Sequence, residues 1–290
     1  MSTAPEIAAR RWAGNARQVR DLAIAGAAGA VFGLYLVVEL VEARSVYLRD
    51  ALAGVAIGGT IGFFLNAAGP LREGAWLKLS RAATWGALAG ALGGAVGLVL
   101  GEVVIGVVRG GLIGRALSWA VLGLGIGVSQ GLADRSRAKL LYGLLGGGIG
   151  GAVGGYLFEL LRMGFGNQYQ GLGIALLGVG LGVFLALVEQ ALRRTWVQVL
   201  SGRQEGRSYL LDRPRSALGL DERAEVGLFG DALVARRHAE IERSPRGYIL
   251  RGLDPAARTR VNGAAASGEV VLKDGDRIEL GQTQLVFRQR

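Results

Sequence analysis

The chain has 290 residues, of which 51% are hydrophobic and 50 are glycine, and it carries a formal net charge of +10 without any cysteine. A soluble domain is seldom so apolar and so rich in glycine at once. The lack of cysteine excludes disulfides and thiol chemistry, and the single histidine excludes a histidine metal cluster. We therefore expect no metal site, no cofactor and no enzymatic activity.

Six apolar stretches follow a polar, basic N-terminal segment, residues 1–20. Each stretch is 17 to 20 residues long, close to the ~20 residues with which a helix crosses a bilayer. They are Leu22–Val38, Ala51–Ala68, Ala82–Gly101, Ala116–Ala133, Leu140–Phe158 and Gly171–Val188. The sequence thus predicts an all-α, glycine-rich transmembrane domain of six helices over residues 21–194.

The fifth stretch, "YGLLGGGIGGAVGGYLFE" (142–159), indicates what the glycines do. One helical face carries glycines four residues apart from Gly143 to Gly155, and the adjacent face carries a second series from Gly146 to Gly154. In lipid a spanning segment must be helical whatever its intrinsic propensity, and glycine lets helices approach closely. We expect this helix to contact two neighbours and to lie inside a bundle.

The same pattern recurs along the chain. "WGALAGALGGAVGLVLGE" (85–102) matches the fifth stretch at a constant offset of 57 residues, and "GAAGAVFGLYLVVE" (26–39) is a weaker copy. The even-numbered stretches repeat as well, so we predict three tandem two-helix repeats, about 20–80, 81–136 and 137–194, forming a parallel pseudo-threefold bundle. The predicted helix-packing positions are Gly90, Gly93, Gly97, Gly147, Gly150 and Gly154.

A glutamate ends the odd helix of each repeat: Glu39, Glu102 and Glu159. If the three side chains faced the pseudo-axis, they would form a ring that attracts cations at a pore. Alternatively, they are interfacial carboxylates that mark the ends of helices. The sequence leaves both interpretations open.

The basic residues indicate the orientation. Twelve lie in segments on one side of the predicted spans and five on the other. Because positive residues mark the cytoplasmic side, we expect both termini in the cytoplasm and the protein in a bacterial inner (plasma) membrane. This bias accounts for much of the positive charge, so we infer no nucleic-acid partner. Membrane lipid is the expected surrounding partner, and the sequence leaves a homo-oligomer open.

Residues 195–290 change character. "TWVQVLSGRQEGRSYLLDRPRSALGL" alternates apolar and polar residues around a turn, and further short strand patterns follow at regular spacing. Such spacing predicts an all-β sandwich.

Within this segment, "DALVARRHAEI", then "VNG", then "LKDGDRIELG" resemble a forkhead-associated (FHA) domain, a β-sandwich that binds phosphothreonine peptides. The resemblance covers residues 196–287 and implies that His238 is buried and braces the loops. It also implies that Asn262-Gly263 is a turn outside the ligand loops.

The resemblance further implies which positions would hold phosphate, and the sequence departs at most of them. The family's Gly-Arg pair reads Gly219-Leu220, its serine falls on Ala235 and its loop asparagine falls on Ala257, while Thr259 matches. Arg236, with Arg223 and Arg258, is close enough in sequence to act as a substitute anion donor. We expect the FHA fold without the usual phosphothreonine recognition.

Two functions remain open. The first is a membrane protein that presents an FHA-like interaction domain to a cytoplasmic protein partner, for recruitment or assembly of signalling partners. The second is a small ion or solute channel or transporter that the FHA-like domain regulates.

Overall fold

The computed structural model describes residues 4–107, 111–134, 136–166, 169–254, 258–266 and 268–290. Within these ranges the chain forms six helices followed by eleven short strands, so the predicted fold class is confirmed. The helices are α1 (Ala4–Leu40), α2 (Val46–Glu73), α3 (Trp76–Val107), α4 (Leu112–Asp134), α5 (Arg137–Phe165) and α6 (Gln170–Leu192). All six contain a segment long and apolar enough to cross a membrane.

The two glycine faces of α5 contact two different helices. A Cβ atom on Gly143 or Gly147 would overlap the backbone of α4 at Gly127 or Gly123. On the adjacent face, a Cβ atom on Gly150 would lie 2.8 Å from both the Gly180 oxygen and the Leu181 Cα of α6. Only glycine permits such an approach, and the close packing replaces the hydrophobic driving force that helices lack in lipid.

Helix α3 uses its glycines in the same way. Gly90 meets the backbone of α2 at Gly58, while Gly93 and Gly97 meet α4 at Gly125 and Leu122. One glycine face of α3 therefore contacts the preceding helix and the other contacts the following helix, as in α5.

Helix α1 closes the arrangement. Gly29 lies against Ile61 of α2, and Gly26 lies against Gly178 of α6. Each helix thus contacts the next one along the chain, and the last contacts the first. The six helices form a closed ring.

The even helices supply the centre of the bundle. Two sets of equivalent positions, each preceding a repeated glycine, are at most 5% exposed and belong to one apolar cluster. These positions are Ile57, Leu122 and Leu177 in one set, and Ile61, Ile126 and Leu181 in the other. Branched aliphatic side chains therefore fill the middle of the bundle.

The helices extend beyond the apolar stretches from which they were predicted. Helix α1 already begins at Ala4 and has 37 residues, so at 1.5 Å per residue it is about 55 Å long, well above the ~30 Å of a hydrocarbon core. A polar terminal segment can form a helix without a hydrophobic pattern that would predict one. The sequence therefore predicted a separate segment at residues 1–20 instead of an extension of the first helix.

The chain separates into two compact units, Gln18–Leu192 and a second unit in which the residues up to Arg17 join Arg193–Arg290. In the second unit a Cβ atom on Gly14 would overlap the carbonyl of Gly206. Asn15 Oδ1 accepts a hydrogen bond from Arg193 Nη2 (2.9 Å), and the Arg193 guanidinium lies 4.4 Å from the centre of the buried Trp196 ring. The N-terminal residues therefore pack on the C-terminal domain.

The C-terminal domain is a sandwich of two sheets. Its strands are β1 (Thr195–Val199), β2 (Ser208–Leu210), β3 (Arg215–Gly219), β4 (Val226–Gly227), β5 (Ala239–Ser244), β6 (Gly247–Gly252), β7 (Thr259–Val261), β8 (Ala264–Ala265), β9 (Glu269–Leu272), β10 (Arg277–Leu280) and β11 (Thr283–Gln289). One sheet has the order β2-β1-β11-β10-β7-β8 and the other β4-β3-β5-β6-β9. Their inner faces share one core, which includes Val197, Leu218, Ile241, Leu250 and Phe287.

Candidate functional site

Three loops meet at one end of the sandwich, and we call their described residues, 220–225, 228–238, 253–254 and 258, the loop edge. Backbone hydrogen bonds join the first two loops, from Leu220 N to Ala235 O (3.1 Å) and from Asp221 N to Arg236 O (3.0 Å). The third is tied in by Leu253 N, which donates to His238 O (2.9 Å). The loop edge is therefore a bonded frame, like a binding surface that a rigid scaffold positions.

His238 lies at the centre of this frame. It is fully buried, and its Nδ1 accepts a hydrogen bond from the backbone N–H of Ala235 (3.2 Å). Burial lowers the pKa of His238 below its usual value, and the backbone of Arg258 and the carboxylates of Asp254 and Asp231 offset this only in part. The buried imidazole thus contacts the backbone of the second loop, as expected of a bracing residue.

Gly219 is where strand β3 passes directly under the second loop. A Cβ atom there would overlap the carbonyl of Arg236 and lie 2.8 Å from the Ala235 oxygen. A side chain at this position would therefore push the first two loops apart.

The remaining phosphate-pocket positions offer few donors. Leu220 is half-buried and packs against the sandwich core, and Ala235 contributes only backbone groups. Thr259 is buried in β7 opposite Leu280, so its hydroxyl is turned away from solvent. Ala257 lies outside the described residues.

Asn262 and Gly263 form the β7–β8 turn, with positive φ angles of 53° and 83°. Such a pair suits the tight turn of a hairpin. The Asn262 side chain donates to Asp276 Oδ1 and accepts from Arg277 N, each at 2.9 Å. Both of its polar groups are used within the domain.

Asp231 organises the second loop, a role that the sequence reasoning missed. Its Oδ1 accepts from Leu233 N (3.0 Å), and its Oδ2 accepts from Gln282 N (2.7 Å) and the Thr283 hydroxyl (2.9 Å). Partial burial raises the pKa of Asp231, but these hydrogen bonds outweigh it and hold the pKa below its usual value. The sequence did contain one indication of this role. An aspartate side chain often accepts a hydrogen bond from the backbone N–H two residues further along the chain, as Asp231 does from Leu233.

Unpaired cations are found on all three loops. Arg223, Arg236 and Arg258 are exposed, and none has an ion pair within the part of the chain that the structure describes. Leu233, 61% exposed, lies on the second loop. The loop edge thus combines available guanidinium groups with exposed apolar surface.

The outer face of the five-stranded sheet is different, because its charges neutralise one another. Arg251 lies 2.6 Å from Glu269 and 3.4 Å from Glu242, and Arg215 lies 3.3 Å from Glu242 and 3.6 Å from Glu240. A partner would have to break these pairs, so this face is the weaker candidate for binding.

The three glutamates of the membrane domain have different environments. Glu39 is exposed, Glu102 is half-buried, and Glu159 is 2% exposed in its side chain and paired with Arg115 and Arg162. They lie on the odd helices, whereas the aliphatic side chains of the even helices fill the centre. Among the described residues no group of acidic or histidine side chains could hold a metal ion.

The C-terminal domain is similar to known proteins. The family model described as "inner membrane component of T3SS, cytoplasmic domain" matches residues 198–290. A solved domain from a study of phosphothreonine-dependent FHA domain interactions has 32% sequence identity, with 33% of this chain and 97% of that chain covered and a TM-score of 0.31. The C-terminal domain belongs to the forkhead-associated family.

Two further structures are similar to this FHA domain. The FhaA FHA domain, solved with the intracellular domain of a second protein, has 33% identity, a TM-score of 0.30, and coverage of 32% of this chain and 99% of that chain. The cytoplasmic domain of the type III secretion sorting platform protein PscD from P. aeruginosa has 23% identity, a TM-score of 0.31, and coverage of 33% and 80%. A search of curated proteins gave no match.

Proposed function

We propose that this protein is an integral component of a bacterial inner membrane that presents its FHA domain to the cytoplasm for recruitment or assembly of protein partners. Six helices suited to membrane crossing support the membrane location. The match to the cytoplasmic domain of an inner membrane secretion component supports the compartment and an assembly role. The bias of basic residues supports cytoplasmic termini.

The composition of the loop edge is the observation that carries the proposal. Its frame is bonded across all three loops, yet Leu220 and Ala235 stand where the family holds phosphate with an arginine and a serine. Each charge-assisted hydrogen bond is worth roughly 1.5–3 kcal/mol, so two lost donors weaken phosphate binding by several powers of ten. The domain therefore keeps a binding surface without standard phosphothreonine recognition.

The loop edge is also where a partner would find uncompensated groups. Arg223 and Arg236 are exposed and have no ion pair among the described residues, and Leu233, on the same loop as Arg236, exposes an apolar side chain. Exposed apolar surface combined with arginine is typical of protein interfaces.

The alternative function, a channel or transporter, receives less support. A cation pathway along the middle of the bundle would have to pass Ile57, Leu122 and Leu177 and then a second aliphatic layer. The environments of Glu39, Glu102 and Glu159 favour interfacial carboxylates over a ring. We expect the purified protein to give no ion or solute flux in proteoliposomes.

Site-specific photo-crosslinking in cells tests the interaction role. A photoreactive residue at Leu233 or Arg223 should capture one defined protein. The matched control is Val271, which is 45% exposed on edge strand β9 and should capture none. Capture at Val271 alone would place the interface elsewhere, and capture at no position, together with measurable flux, would favour the transporter.

A further inference from the structure

One buried carboxylate holds two arginines at the end of the bundle where α4 begins and α5 ends. Glu159 Oε2 accepts a hydrogen bond from Arg162 Nε (2.7 Å), and its Oε1 accepts one from Arg115 Nη1 (3.4 Å). The Glu159 side chain is 2% exposed, whereas those of Arg115 and Arg162 are 39% and 36% exposed. Two guanidinium groups against one carboxylate leave this cluster with a net charge of +1.

The outward N–H groups of both arginines remain available. Arginine has five N–H donors in a planar fork, and Arg162 contacts Glu159 through Nε, while Arg115 does so through Nη1. In the described ranges neither arginine has another ion pair. Gly166, with φ of 73°, ends α5 by donating its N–H to Arg162 O (3.0 Å), which fixes this last turn.

The other two repeats show that the fold does not require these arginines. The offset of 57 residues aligns Glu159 with Glu102 and Arg162 with Ile105; in the weaker first copy the corresponding glutamate is Glu39, and Glu42 lies three residues after it. Neither Glu102 nor Glu39 is part of an ion pair among the described residues. The same helix-packing pattern therefore forms in those repeats without an arginine pair, and the pair is a local addition to one repeat.

We propose that Arg115 and Arg162, oriented by Glu159, bind the phosphate of an anionic phospholipid headgroup. A phosphodiester carries one negative charge, which balances the excess charge of the cluster, and the guanidinium fork matches phosphate oxygens. The cluster lies near the ends of two candidate spans, Leu112–Leu132 and Arg137–Phe165, which is the depth of lipid headgroups. Exposed Leu160 and Met163 lie beside it and offer apolar surface to an acyl chain.

The same chemistry would suit free phosphate, so the experiment separates the two sources. Purified full-length protein in detergent is heated with dioleoyl phosphatidylglycerol, with dioleoyl phosphatidylcholine, or with inorganic phosphate. Phosphatidylglycerol should raise the unfolding temperature, and the other two should not. An equal shift with inorganic phosphate, or with phosphatidylcholine, would overturn the lipid assignment.

Variants locate the effect at the cluster. Arg115→Gln and Arg162→Gln should each weaken phosphatidylglycerol binding about tenfold, or 1.4 kcal/mol. Arg162→Lys keeps the positive charge but loses the planar guanidinium, so it should reduce the affinity for phosphatidylglycerol by an intermediate amount. This variant replaces the glutamine variants if they fail to fold. Arg44→Gln, at an exposed arginine on the same end of the bundle, should change nothing. A lipid response that is identical in wild type and Arg162→Lys, or equally reduced in Arg44→Gln, would overturn the proposal.

Discussion

Replacing Gly150 by alanine tests whether backbone contact between α5 and α6 holds the membrane domain together. The new Cβ atom would lie 2.8 Å from Leu181 Cα and from the Gly180 oxygen. Carbon atoms in ordinary contact are about 3.5–4.0 Å apart, so α5 and α6 must separate by roughly 0.7 Å or more. That movement also loosens the neighbouring contacts of Gly146 and Gly154 with α6.

The size of the effect follows from two opposing contributions. Overpacking of this kind costs about 1–3 kcal/mol, and exchanging glycine for alanine in a helix returns up to about 1 kcal/mol. The net loss of about 1–2 kcal/mol corresponds to a fall of roughly 2–8 °C in the unfolding temperature for a chain of this size. Gly150→Leu should lower it further, because leucine has nearly the helix propensity of alanine and a larger volume.

The chain supplies a matched control in α2. A Cβ atom on Gly59 would meet the Ala91 Cβ at 3.4 Å, which is ordinary contact. Gly59→Ala therefore gains the same helix propensity without overpacking and should leave the unfolding temperature unchanged or higher. Leu160→Ala, at a 43% exposed position, gives a second baseline. Equal unfolding temperatures for Gly150→Ala and Gly59→Ala, measured at one scan rate in one detergent, would refute the role of the glycines as packing surfaces.

Four further predictions concern topology and the FHA domain. Reporter fusions or cysteine labelling should indicate the cytoplasm after residues 20, 75, 136 and 200 and the opposite side near 46, 110 and 166; a cytoplasmic signal near 110 would contradict six spans. Because the pKa of Asp231 is lowered in the folded state, its carboxylate should stabilise the FHA domain at pH values above the unfolded-state pKa of about 3.9. This contribution should be lost as the pH falls through the folded-state pKa. Acid unfolding of Asp231→Asn should lack this pH-dependent component. The single histidine, His238, should titrate below about 6.5 when followed by NMR of selectively labelled protein, and a higher value would contradict its bracing role. Full-length protein should show no preference for phosphothreonine over threonine peptides, whereas Leu220→Arg with Ala235→Ser and Ala257→Asn should create one in a peptide titration; micromolar, phosphate-dependent binding by wild type would contradict the lost pocket.

The architecture of the membrane domain could be read from the sequence because glycine spacing and helix packing share one period. The series from Gly143 to Gly155 required a neighbour on one face and the series from Gly146 to Gly154 a neighbour on the adjacent face. Short loops leave α4 and α6 as the nearest helices. The FHA assignment was equally accessible, since "DALVARRHAEI" and the turns after it are local patterns. The six long apolar helices and the FHA domain are confirmed, whereas the stabilising role of the glycine contacts stays a prediction.

What the sequence did not predict depends on contacts between distant segments. Asp231 acquires its role from Gln282 and Thr283, about fifty residues further on. Leu220 packs against the sandwich core because of the strands around it. No local sequence pattern predicts this burial. The pairing of Arg115 with Glu159 likewise joins two helices 44 residues apart.

The contact between Gly26 and Gly178 makes the first membrane helix depend on the last. During synthesis α1 enters the membrane before α6 has been made. The face of α1 that carries Gly26 therefore has no helix to pack against until five more helices have followed. A truncated chain with two repeats would leave that face, and the matching face of its final helix, open to any other small-residue surface in the bilayer. The first helix can therefore be fully packed only after the third repeat is complete.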